Sequence, residues 1–435
     1  MALQTFTLKY GKGSISFDLP REQILCEVKG RPYPSVPDLE QAYRHALDHP
    51  IDAPPLRELV RPGERVTIAV SDITRVWQRN DLTLPILLET LNAAGVADED
   101  VTIVVAMGGH RLNTVDEHME ICGREVCHRV KVINHNAEVL ENMVYLGRTS
   151  RGTEVRVSRH AVETDRLILT GGTIYHYMAG YGGGRKSILP GLSHIDTIRQ
   201  NHLLGLRTEA GLGSNPECAS RITRGNPLHE DMMEIAGFVQ PDFLINIVPN
   251  LDDGVAGIFT GNWASAWHEA TRLVDRVFSV DIDAPADIVI ASAGGYPRDI
   301  NLYQTGKTMD NACYAMRPGG VSIILAECPL VRDPETFFKW FGYPTIGDVA
   351  NALRERFFID GWVALKQLEC NGKGLIILVS RPENREALKP TGFTVASSIE
   401  NALQMAYRAC STQSPKITIM PQASLTLPVV RGSHA

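Results

Sequence analysis

A glycine-rich segment holds the densest group of side chains that could do chemistry. Residues 171–202 read GGTIYHYMAGYGGGRKSILPGLSHIDTIRQNH, in which Lys186 follows three glycines and an arginine. Glycines let backbone N–H groups approach an anion closely, and a helix that begins behind them adds its positive end. The segment therefore predicts an anion-binding loop.

The loop departs from the pattern that binds nucleoside triphosphates. That pattern is GxxxxGK[ST], and Arg185 stands where the pattern has its last glycine. A single phosphate is the more economical ligand, with Arg185 and Lys186 adding positive charge. The alternative is a glycine hairpin with two solvated basic side chains, and the residues alone leave it open.

Three histidines flank the loop, and an imidazole can carry a proton near neutral pH or bind a transition metal. His176 follows a predicted strand among tyrosines, where a structural role is the commoner one. His202 is expected on a helix capped by Ser193, and one histidine alone is weak support for a metal. His194 is expected to be exposed at the start of that helix, without a role.

Three further segments place polar side chains beyond predicted strands. SDITR carries Asp72, Thr74 and Arg75, AMGGHR carries His110, and GGYPRDINLYQTGK carries Tyr303, Gln304 and Lys307. Arginine suits a carboxylate ligand because it can donate two hydrogen bonds, although a surface ion pair would use it equally well. Gln304 and Lys307 are three residues apart and share a helix face. The set combines cations, amides and imidazoles, without a carboxylate-rich metal centre.

Apolar runs alternate with helix-like segments, which predicts α/β architecture with mainly parallel sheets. The predicted strands are 66–71, 101–107, 130–136, 166–172, 242–248, 287–295, 320–327 and 374–380. Ligands of open parallel sheets bind beyond the carboxyl ends of the strands, where the polar segments fall. A chain of 435 residues predicts two domains. We place them at 1–275 and 276–435, and expect a β-hairpin or an added edge in the first 40 residues.

Composition limits the partners and the cellular compartment that we expect for the protein. The net charge is −7 without a long run of like charge, so neither a nucleic acid nor an anionic membrane surface is expected as a partner. The N-terminus has no signal-peptide pattern, and no apolar run reaches the length of a membrane helix. Eight cysteines without a CxxC pair do not form a disulfide scaffold. We expect a soluble cytoplasmic protein with reduced thiols.

Taken together, four segments resemble the lactate racemase family of nickel-pincer nucleotide enzymes. They are SDITR, GGHR, HYMAGYGGGRKSILPG with His202 behind it, and GGYPRDINLYQTGK. The resemblance spans nearly the whole chain and implies an isomerase, a racemase or epimerase that inverts C2 of a 2-hydroxycarboxylic acid by reversible hydride transfer. It also implies an N-terminal domain that binds the cofactor, a C-terminal domain that closes over the substrate, and an active site in the cleft between them.

The same resemblance implies the cofactors and the role of each residue. Nickel is held by a pyridinium-3-thioamide-5-thiocarboxylic acid mononucleotide bound covalently to Lys186, and His202 is the protein ligand. His110 and His176 act as acid and base on opposite sides of the substrate. The expected substrate contacts are Arg75, Tyr303, Gln304 and Lys307, and the expected cofactor contacts are Asp72, Thr74, Gly183, Gly184, Arg185 and Trp362.

The substrate stays open between lactate and a larger 2-hydroxyacid, because Gly109 in MGGH stands where lactate-acting members carry a bulkier residue. Proteins that make the cofactor are the expected partners besides the substrate. One alternative is a homologue that binds the cofactor without racemase activity. Another is a different phosphate-ligand enzyme, which the broken triphosphate pattern and the lack of GxGxxG after an N-terminal strand disfavour.

Overall fold

Strands and helices alternate along the chain, as predicted for an α/β protein. The computed structural model describes residues 2–432. The strands are β1 (Leu3–Tyr10), β2 (Gly13–Pro20), β3 (Ile24–Glu27), β4 (Val66–Ser71), β5 (Val101–Ala106), β6 (Lys131–Asn134), β7 (Met143–Arg148), β8 (Glu154–Ser158), β9 (Arg166–Gly172), β10 (Tyr175–His176), β11 (Gly180–Tyr181), β12 (Phe243–Pro249), β13 (Val255–Gly261), β14 (Ser279–Ile282), β15 (Ala286–Ser292), β16 (Met316–Leu325), β17 (Leu375–Val379), β18 (Thr394–Ala396), β19 (Ile417–Met420) and β20 (Leu427–Val430). The helices are α1 (Leu39–Asp48), α2 (Leu56–Leu59), α3 (Asn80–Ala93), α4 (Val115–Cys122), α5 (Arg124–Arg129), α6 (Arg159–Val162), α7 (Ile195–Leu203), α8 (Pro227–Val239), α9 (Ser265–Phe278), α10 (Leu302–Ala315), α11 (Ile346–Glu355), α12 (Ile359–Lys373), α13 (Arg385–Leu388) and α14 (Ile399–Ala409).

The chain forms two compact units. The first unit comprises Pro32–Gly205 and Glu217–Val277. The second unit comprises the chain up to Arg31, the segment Leu206–Pro216 and the chain from Phe278 onward. The predicted domains 1–275 and 276–435 differ from these units at the chain start and at Leu206–Pro216, and their outermost residues, Met1 and 433–435, lie outside the described part.

Hydrogen bonds explain why the two segments belong to the second unit. Strand β3 pairs in parallel with β19 and so extends the sheet of that unit. At the tip of the β1–β2 hairpin, the Gly11 N–H donates to Asp299 Oδ2 at 2.6 Å. In the internal segment, the Ser214 N–H and hydroxyl donate to the Glu369 carboxylate at 2.6 and 2.5 Å. Both segments are therefore hydrogen-bonded to the rest of the second unit.

The first unit contains a six-stranded sheet with the order β13-β12-β9-β4-β5-β6. Its strands are parallel except β13, which runs antiparallel to β12. The central strands are buried on both faces, which is why their sequences are apolar runs rather than alternating ones. Helices α1 to α5 contribute to one core with this sheet, and α3 buries Leu84, Leu87 and Leu88 completely.

The second unit contains a six-stranded parallel sheet with the order β18-β17-β16-β15-β19-β3. The β1–β2 hairpin buries Phe6 and Phe17 in a core that it shares with this sheet and with α14. Helices α10 and α12 approach each other closely at Gly306. A Cβ on this glycine would lie only 2.8 Å from the Gln367 Nε2 atom. The predicted mainly parallel α/β fold is thus confirmed, and so is the early hairpin.

The eight cysteines of the chain are all free thiols. The buried ones are Cys122, Cys218, Cys313, Cys328 and Cys370. Within residues 2–432, no helix combines the length and the apolar composition that a bilayer crossing requires.

Replacing Phe17 by alanine is expected to destabilise the second unit selectively. Phe17 is buried between the hairpin and the sheet, and removal of a core phenylalanine side chain costs about 3–5 kcal/mol. Hydrogen exchange measured by mass spectrometry should become faster in β15, β16 and β17, with exchange in β4, β5 and β9 unchanged.

The matched control for that variant is Leu88→Ala, which opens a cavity in the core of the first unit. It should accelerate exchange in β4, β5 and β9 and leave β15, β16 and β17 unchanged. Faster exchange of β4 and β5 in Phe17→Ala would contradict the assignment of the hairpin to the second unit.

Candidate active site

Three neighbouring strands of the first unit carry the candidate catalytic loops. Strand β4 lies between β9 and β5, and all three are parallel, so their carboxyl ends meet at one edge of the sheet. Asp72 directly follows β4, His110 lies four residues beyond β5, and His176 lies four residues beyond β9. The fold therefore brings together side chains that are distant in sequence, as expected for a ligand site of an open parallel sheet.

Asp72 and His110 form a hydrogen-bonded pair. The Asp72 Oδ2 atom is 2.5 Å from His110 Nδ1, and Oδ1 accepts from the Thr74 N–H at 3.2 Å and from the Thr74 hydroxyl at 2.5 Å. Burial raises the pKa of the Asp72 carboxyl, but the bond and charge of His110, the Thr74 bond and the Arg75 charge outweigh burial, so the pKa is lowered. The carboxylate is thus ionised, and both of its oxygens contact neighbouring side chains.

This pairing bears on the prediction that Asp72 and Thr74 hold the cofactor. Both Asp72 oxygens already have partners within the chain, and the Thr74 hydroxyl also accepts from Arg75 Nη1 at 2.9 Å. The three residues form one network that ends at the His110 ring. Direct contact with a cofactor stays a prediction for Asp72 and Thr74, while their mutual contacts are present without one.

His176 lies in a short hairpin formed by β10 and β11. The hairpin is anchored by Tyr175 and Tyr181, whose hydroxyl groups donate to Asp275 Oδ1 at 2.7 and 2.8 Å. The His176 ring folds over the turn, where its Nδ1 atom accepts hydrogen bonds from the Met178 N–H at 3.3 Å and the Ala179 N–H at 3.1 Å. The orientation of the half-buried imidazole is therefore set by backbone amides.

Arg185 is buried inside the glycine loop and is 0% exposed. Its guanidinium donates to the carbonyl oxygens of Ala179 at 2.7 Å and Tyr181 at 2.9 Å, and lies 4.2 Å from the centre of the Trp267 ring. Burial lowers the pKa of the guanidinium to about 9. Within residues 2–432, no carboxylate forms an ion pair with it.

These contacts change two interpretations of the loop. We predicted that Arg185 contacts a cofactor phosphate, but its side chain is turned towards the carbonyl groups of its own loop and is fully enclosed. The alternative of two solvated basic residues is wrong for Arg185, which is fully enclosed, while Lys186 is half-buried. Since no carboxylate among residues 2–432 neutralises Arg185, its positive charge lowers the pKa values of the neighbouring Lys186 and His229.

Trp267 on α9 packs against the glycine loop. Its Nε1–H donates to the Gly182 carbonyl at 2.8 Å. A Cβ on Gly184 would lie 2.7 Å from the Trp267 ring, and Gly184 has a positive φ of 54°. Glycine is needed at 184 because the backbone is left-handed and touches an aromatic ring. Sequence reasoning did not find Trp267, since a lone tryptophan on an amphipathic helix carries no signal of such a contact.

Lys186 follows Arg185 in the 3-10 turn Gly184–Ser187. Burial, together with the positive charges of Arg185 and Arg75, lowers the pKa of the Lys186 amine to about 7. A lysine with such a pKa is substantially neutral near neutral pH, and the neutral amine is the nucleophilic form. Lys186 is therefore suited to form a covalent bond rather than only an ionic contact.

His202 lies on α7, whose N-cap differs from the prediction. The cap is His194, whose Nδ1 atom accepts from the Asp196 N–H at 3.3 Å, whereas the Ser193 hydroxyl donates to the Ile188 carbonyl. The predicted cap, Ser193, is thus wrong, and His194 is buried rather than exposed.

The His202 ring is oriented by its own helix. Its Nδ1 atom lies 2.8 Å from the Ile198 carbonyl oxygen, which can only accept, so the proton is on Nδ1 and the lone pair is on Nε2. Burial and the charge of Lys186 lower the His202 pKa to about 3, despite the Ile198 bond. A neutral imidazole whose Nδ1–H is bonded to a carbonyl is the form in which histidine binds a metal.

The second unit carries the other predicted residues on two helices. Tyr303, Gln304 and Lys307 are half-buried in the first two turns of α10, and the helix is capped by Asn301, which accepts from the Gln304 N–H at 2.8 Å. Trp362 is fully buried on α12. Tyr303 makes an edge contact with the Phe337 ring at 5.5 Å. Their contacts with substrate or cofactor stay predictions.

Both halves of the chain match family models. The lactate racemase N-terminal domain matches residues 10–213, and the lactate racemase C-terminal domain matches residues 282–426. A lactate racemase from Thermoanaerobacterium thermosaccharolyticum is 32% identical over 95% of this chain and 96% of its own length. The chain belongs to the lactate racemase family. It is accordingly an isomerase of the racemase type.

Further relatives agree with this membership. A lactate racemase from Lactiplantibacillus plantarum is 29% identical over 88% of this chain and 89% of its own length. The lactate racemase apoprotein structure from T. thermosaccharolyticum superposes with a TM-score of 0.89 at 30% identity, covering 98% of this chain and 100% of that one. A Thermotoga maritima protein structure, at 18% identity and a TM-score of 0.65 over 92% of this chain and all of its own, shares the fold.

The amine of Lys186 is expected to react with reductive methylation reagents at neutral pH in the cofactor-free protein. Peptide mapping across a pH series should give a midpoint near the pKa of about 7, because burial and two neighbouring cations favour the neutral form. An ordinary lysine has a pKa of about 10.4. Arg185→Met removes one of the cations, so its midpoint should lie at higher pH.

The exposed Lys131 serves as the internal reference for reagent reactivity in the same samples. Circular dichroism checks that Arg185→Met remains folded. If Lys186 required the same pH as Lys131 for methylation, the low pKa of its amine would be refuted.

Proposed function

We propose that this family member inverts C2 of a 2-hydroxycarboxylate, either lactate or a larger 2-hydroxyacid, with a nickel-pincer nucleotide attached to Lys186. The lactate racemases that it resembles support the reaction class. The feature that carries the proposal is the place of Lys186 in a glycine loop next to the buried Arg185, where burial and neighbouring cations lower the pKa of its amine to about 7. A contact lysine for an anion would be of more use charged, whereas a lysine that forms a thioamide must be neutral.

The residues around Lys186 fit such a cofactor. His202 is within electrostatic reach of Lys186 and presents the lone pair of Nε2, which makes it suitable as one protein ligand to nickel. In the described residues, no group of three or more His, Cys, Asp or Glu side chains could hold a metal ion. The remaining nickel ligands in this proposal are atoms of the nucleotide, as the resemblance to the family implies. When bound, the nucleotide supplies the hydride acceptor that side chains lack.

His110 is proposed as a general base. Its Nδ1–H is bonded to the ionised Asp72, so the Nε2 lone pair is available for the hydroxyl proton of the substrate. The Asp72 carboxylate also stabilises the imidazolium that forms when the proton is taken. His176 is proposed to act on the opposite side of the substrate, where the hydroxyl of the other enantiomer lies.

Substrate binding is proposed for cations and amides of both units. Arg75 is held by Thr74 through one Nη1 atom, which leaves further N–H groups for a substrate carboxylate. Gln304 and Lys307 lie on one face of α10 with Tyr303 and are the proposed contacts from the second unit. Trp362 of α12 is proposed to support the cofactor from within the protein interior.

Protein made together with the cofactor biosynthesis enzymes is expected to carry a covalent adduct on Lys186 and bound nickel, and to racemise a single-enantiomer substrate. Intact mass, peptide mapping and a nickel assay measure the first two, and chiral chromatography measures the third. The substrate panel is lactate, malate, phenyllactate and an aldonate. Lys186→Arg keeps a basic side chain but cannot form a thioamide, so adduct and turnover should both be lost.

Two controls separate the parts of this proposal. Lys131→Arg is a matched surface variant that should keep adduct, nickel and turnover. His110→Ala and His176→Ala should keep adduct and nickel while turnover falls on the order of 10²–10⁴-fold. Retained optical purity across the whole panel by nickel-loaded protein would overturn the proposed reaction, and an adduct on another residue would overturn the role of Lys186.

Gly109 bears on which 2-hydroxyacid is used. A Cβ on Gly109 would lie 3.5 Å from the Ile195 Cδ1 atom, an ordinary contact, and Gly109 is not among the residues with positive φ. The fold therefore does not require glycine at 109. By contrast, Gly108 has a φ of 57°, and a Cβ there would lie 2.9 Å from Pro190. Absence of a side chain beside His110 favours a substrate larger than lactate.

Gly109→Leu is expected to lower kcat/KM for phenyllactate relative to lactate by about 10-fold or more, because a filled pocket rejects added carbons more readily than it binds them. Gly109→Ala should keep the melting temperature of the parent protein, whereas Gly108→Ala, the matched control, should lower it. An unchanged ratio of kcat/KM values in Gly109→Leu would rule out Gly109 as a determinant of substrate size.

A further inference from the structure

We propose that the two candidate acid/base histidines are held as opposite tautomers, His110 by the Asp72 carboxylate and His176 by the backbone amides of Met178 and Ala179. The inference rests on the proposed function in one respect, namely that both rings act on the substrate. It goes further by assigning Asp72 as a positioning residue for His110. It also makes the two histidines unequal at the start of the reaction.

The tautomer of His110 follows from the chemistry of its partner. An ionised carboxylate only accepts hydrogen bonds, so the contact of 2.5 Å between Asp72 Oδ2 and His110 Nδ1 requires a proton on Nδ1. Neutral His110 then has its lone pair on Nε2. Protonation at Nε2 leaves the Asp72 bond in place, so this ring can gain a proton without losing a contact. Half of the His110 side chain is exposed, which leaves the ring accessible to a substrate.

The tautomer of His176 follows from the opposite argument. Backbone N–H groups only donate, so the Nδ1 atom that faces the amides of Met178 and Ala179 must carry a lone pair. Neutral His176 therefore has its proton on Nε2. A second proton on Nδ1 would point at two N–H groups and break both bonds. This ring is thus suited to donate a hydrogen bond from Nε2 while neutral, and it loses both amide bonds when it becomes an imidazolium.

The amides that face His176 are themselves fixed. The Ala179 carbonyl, at the other end of the same residue, accepts from Arg185 Nη2 at 2.7 Å and from the Tyr181 N–H at 2.9 Å. A rotation of the turn that released His176 Nδ1 would disturb the contacts of the buried guanidinium. By binding the Ala179 carbonyl, Arg185 therefore helps to fix the turn whose amides select the tautomer of His176.

The asymmetry has a consequence for the proton transfer. A substrate whose hydroxyl faces His110 finds a base in the correct tautomer: the O–H bond breaks, the proton bonds to Nε2, and the electron pair stays on the substrate oxygen. A substrate whose hydroxyl faces His176 meets an N–H donor instead. This ring can take the hydroxyl proton at Nε2 only after it changes tautomer: solvent water accepts the Nε2 proton and supplies one to Nδ1, and the bonds from the Met178 and Ala179 amides break. The two enantiomers have equal free energies, so kcat/KM must be equal in the two directions. The asymmetry appears as different kcat and KM values.

The direct test is the tautomer of each ring in the cofactor-free protein. Long-range proton–nitrogen correlation spectra of protein labelled with ¹⁵N-histidine distinguish protonated from unprotonated ring nitrogens, and His110→Gln and His176→Gln assign the signals. We expect His110 to be protonated at Nδ1 and His176 at Nε2. The same tautomer in both rings, or His176 protonated at Nδ1, overturns the inference.

Asp72→Asn tests the positioning role of Asp72. The amide can donate to His110 Nδ1, so the His110 signal should shift towards the Nε2-protonated tautomer while the His176 signal stays unchanged. In the nickel-loaded enzyme, turnover should fall on the order of 10²–10⁴-fold with the Lys186 adduct retained. Asp165→Asn, which alters an exposed carboxylate bound to Arg65, is the matched control and should change neither signal nor turnover.

The outcomes distinguish this inference from the proposed function. Opposite tautomers in a protein that racemises none of the acids would remove the proposed function and leave the assignment of Asp72 and the amides intact. Identical tautomers in an active racemase would remove the assignment of Asp72 and the amides and leave the proposed function intact. The spectra of the unsubstituted protein decide the matter even if Asp72→Asn fails to fold. In an active enzyme, equal kcat and equal KM values from both enantiomers would also overturn the inference.

Discussion

A buried guanidinium with no carboxylate partner in the described part of the chain holds the candidate site together. Arg185 is enclosed by carbonyl groups of its own loop and by the ring of Trp267. Burying a cation is costly unless hydrogen bonds replace its hydration, and an aromatic face adds further stabilisation. The glycines of the loop are needed because only a backbone that turns its carbonyls inward and comes close to Trp267 can surround the guanidinium. One side chain thus determines the path of the chain between His176 and Lys186.

The absence of a neutralising carboxylate within the described contacts has electrostatic effects. The charge of Arg185, added to burial, lowers the pKa of Lys186 to about 7, and burial with the charge of Lys186 lowers the pKa of His202 to about 3. His229, whose ring stacks on Trp267, is affected by burial and Arg185 in the same way. Neutral amines and neutral imidazoles are the forms that bond to carbon and to metals. An aspartate beside Arg185 would remove this contribution.

Sequence reasoning succeeded where the signal is local. VTIAVS and RLILTGG are apolar along their whole length because β4 and β9 are buried on both faces, and this pattern is visible without a structure. The placement of polar loops beyond such strands follows from the same rule. Asp72 and His110 were both singled out, but their contact depends on β4 and β5 being neighbours, which no local pattern reveals.

The failures have physical causes as well. Arg185 was expected to face a phosphate because its positive charge lies in a glycine-rich loop, and its enclosure depends on Trp267, a residue from another helix. Ser193 was expected to cap α7 because serine is a good N-cap, but its hydroxyl is used by the Ile188 carbonyl and His194 caps instead. The hairpin at the chain start packs its apolar side chains against strands at the far end of the sequence, which is invisible to any local pattern.

A racemase faces a conflict between its reaction and its fold. The two enantiomers are mirror images about C2, so two equivalent bases would serve them equally. The chain cannot build equivalent surroundings, because His110 follows a strand of a parallel sheet and His176 sits in a short hairpin whose strands have two residues each. A carboxylate orients one ring and backbone amides orient the other. Thermodynamics requires only that kcat/KM agree in the two directions, so the protein can distribute binding and turnover unequally and still interconvert both enantiomers.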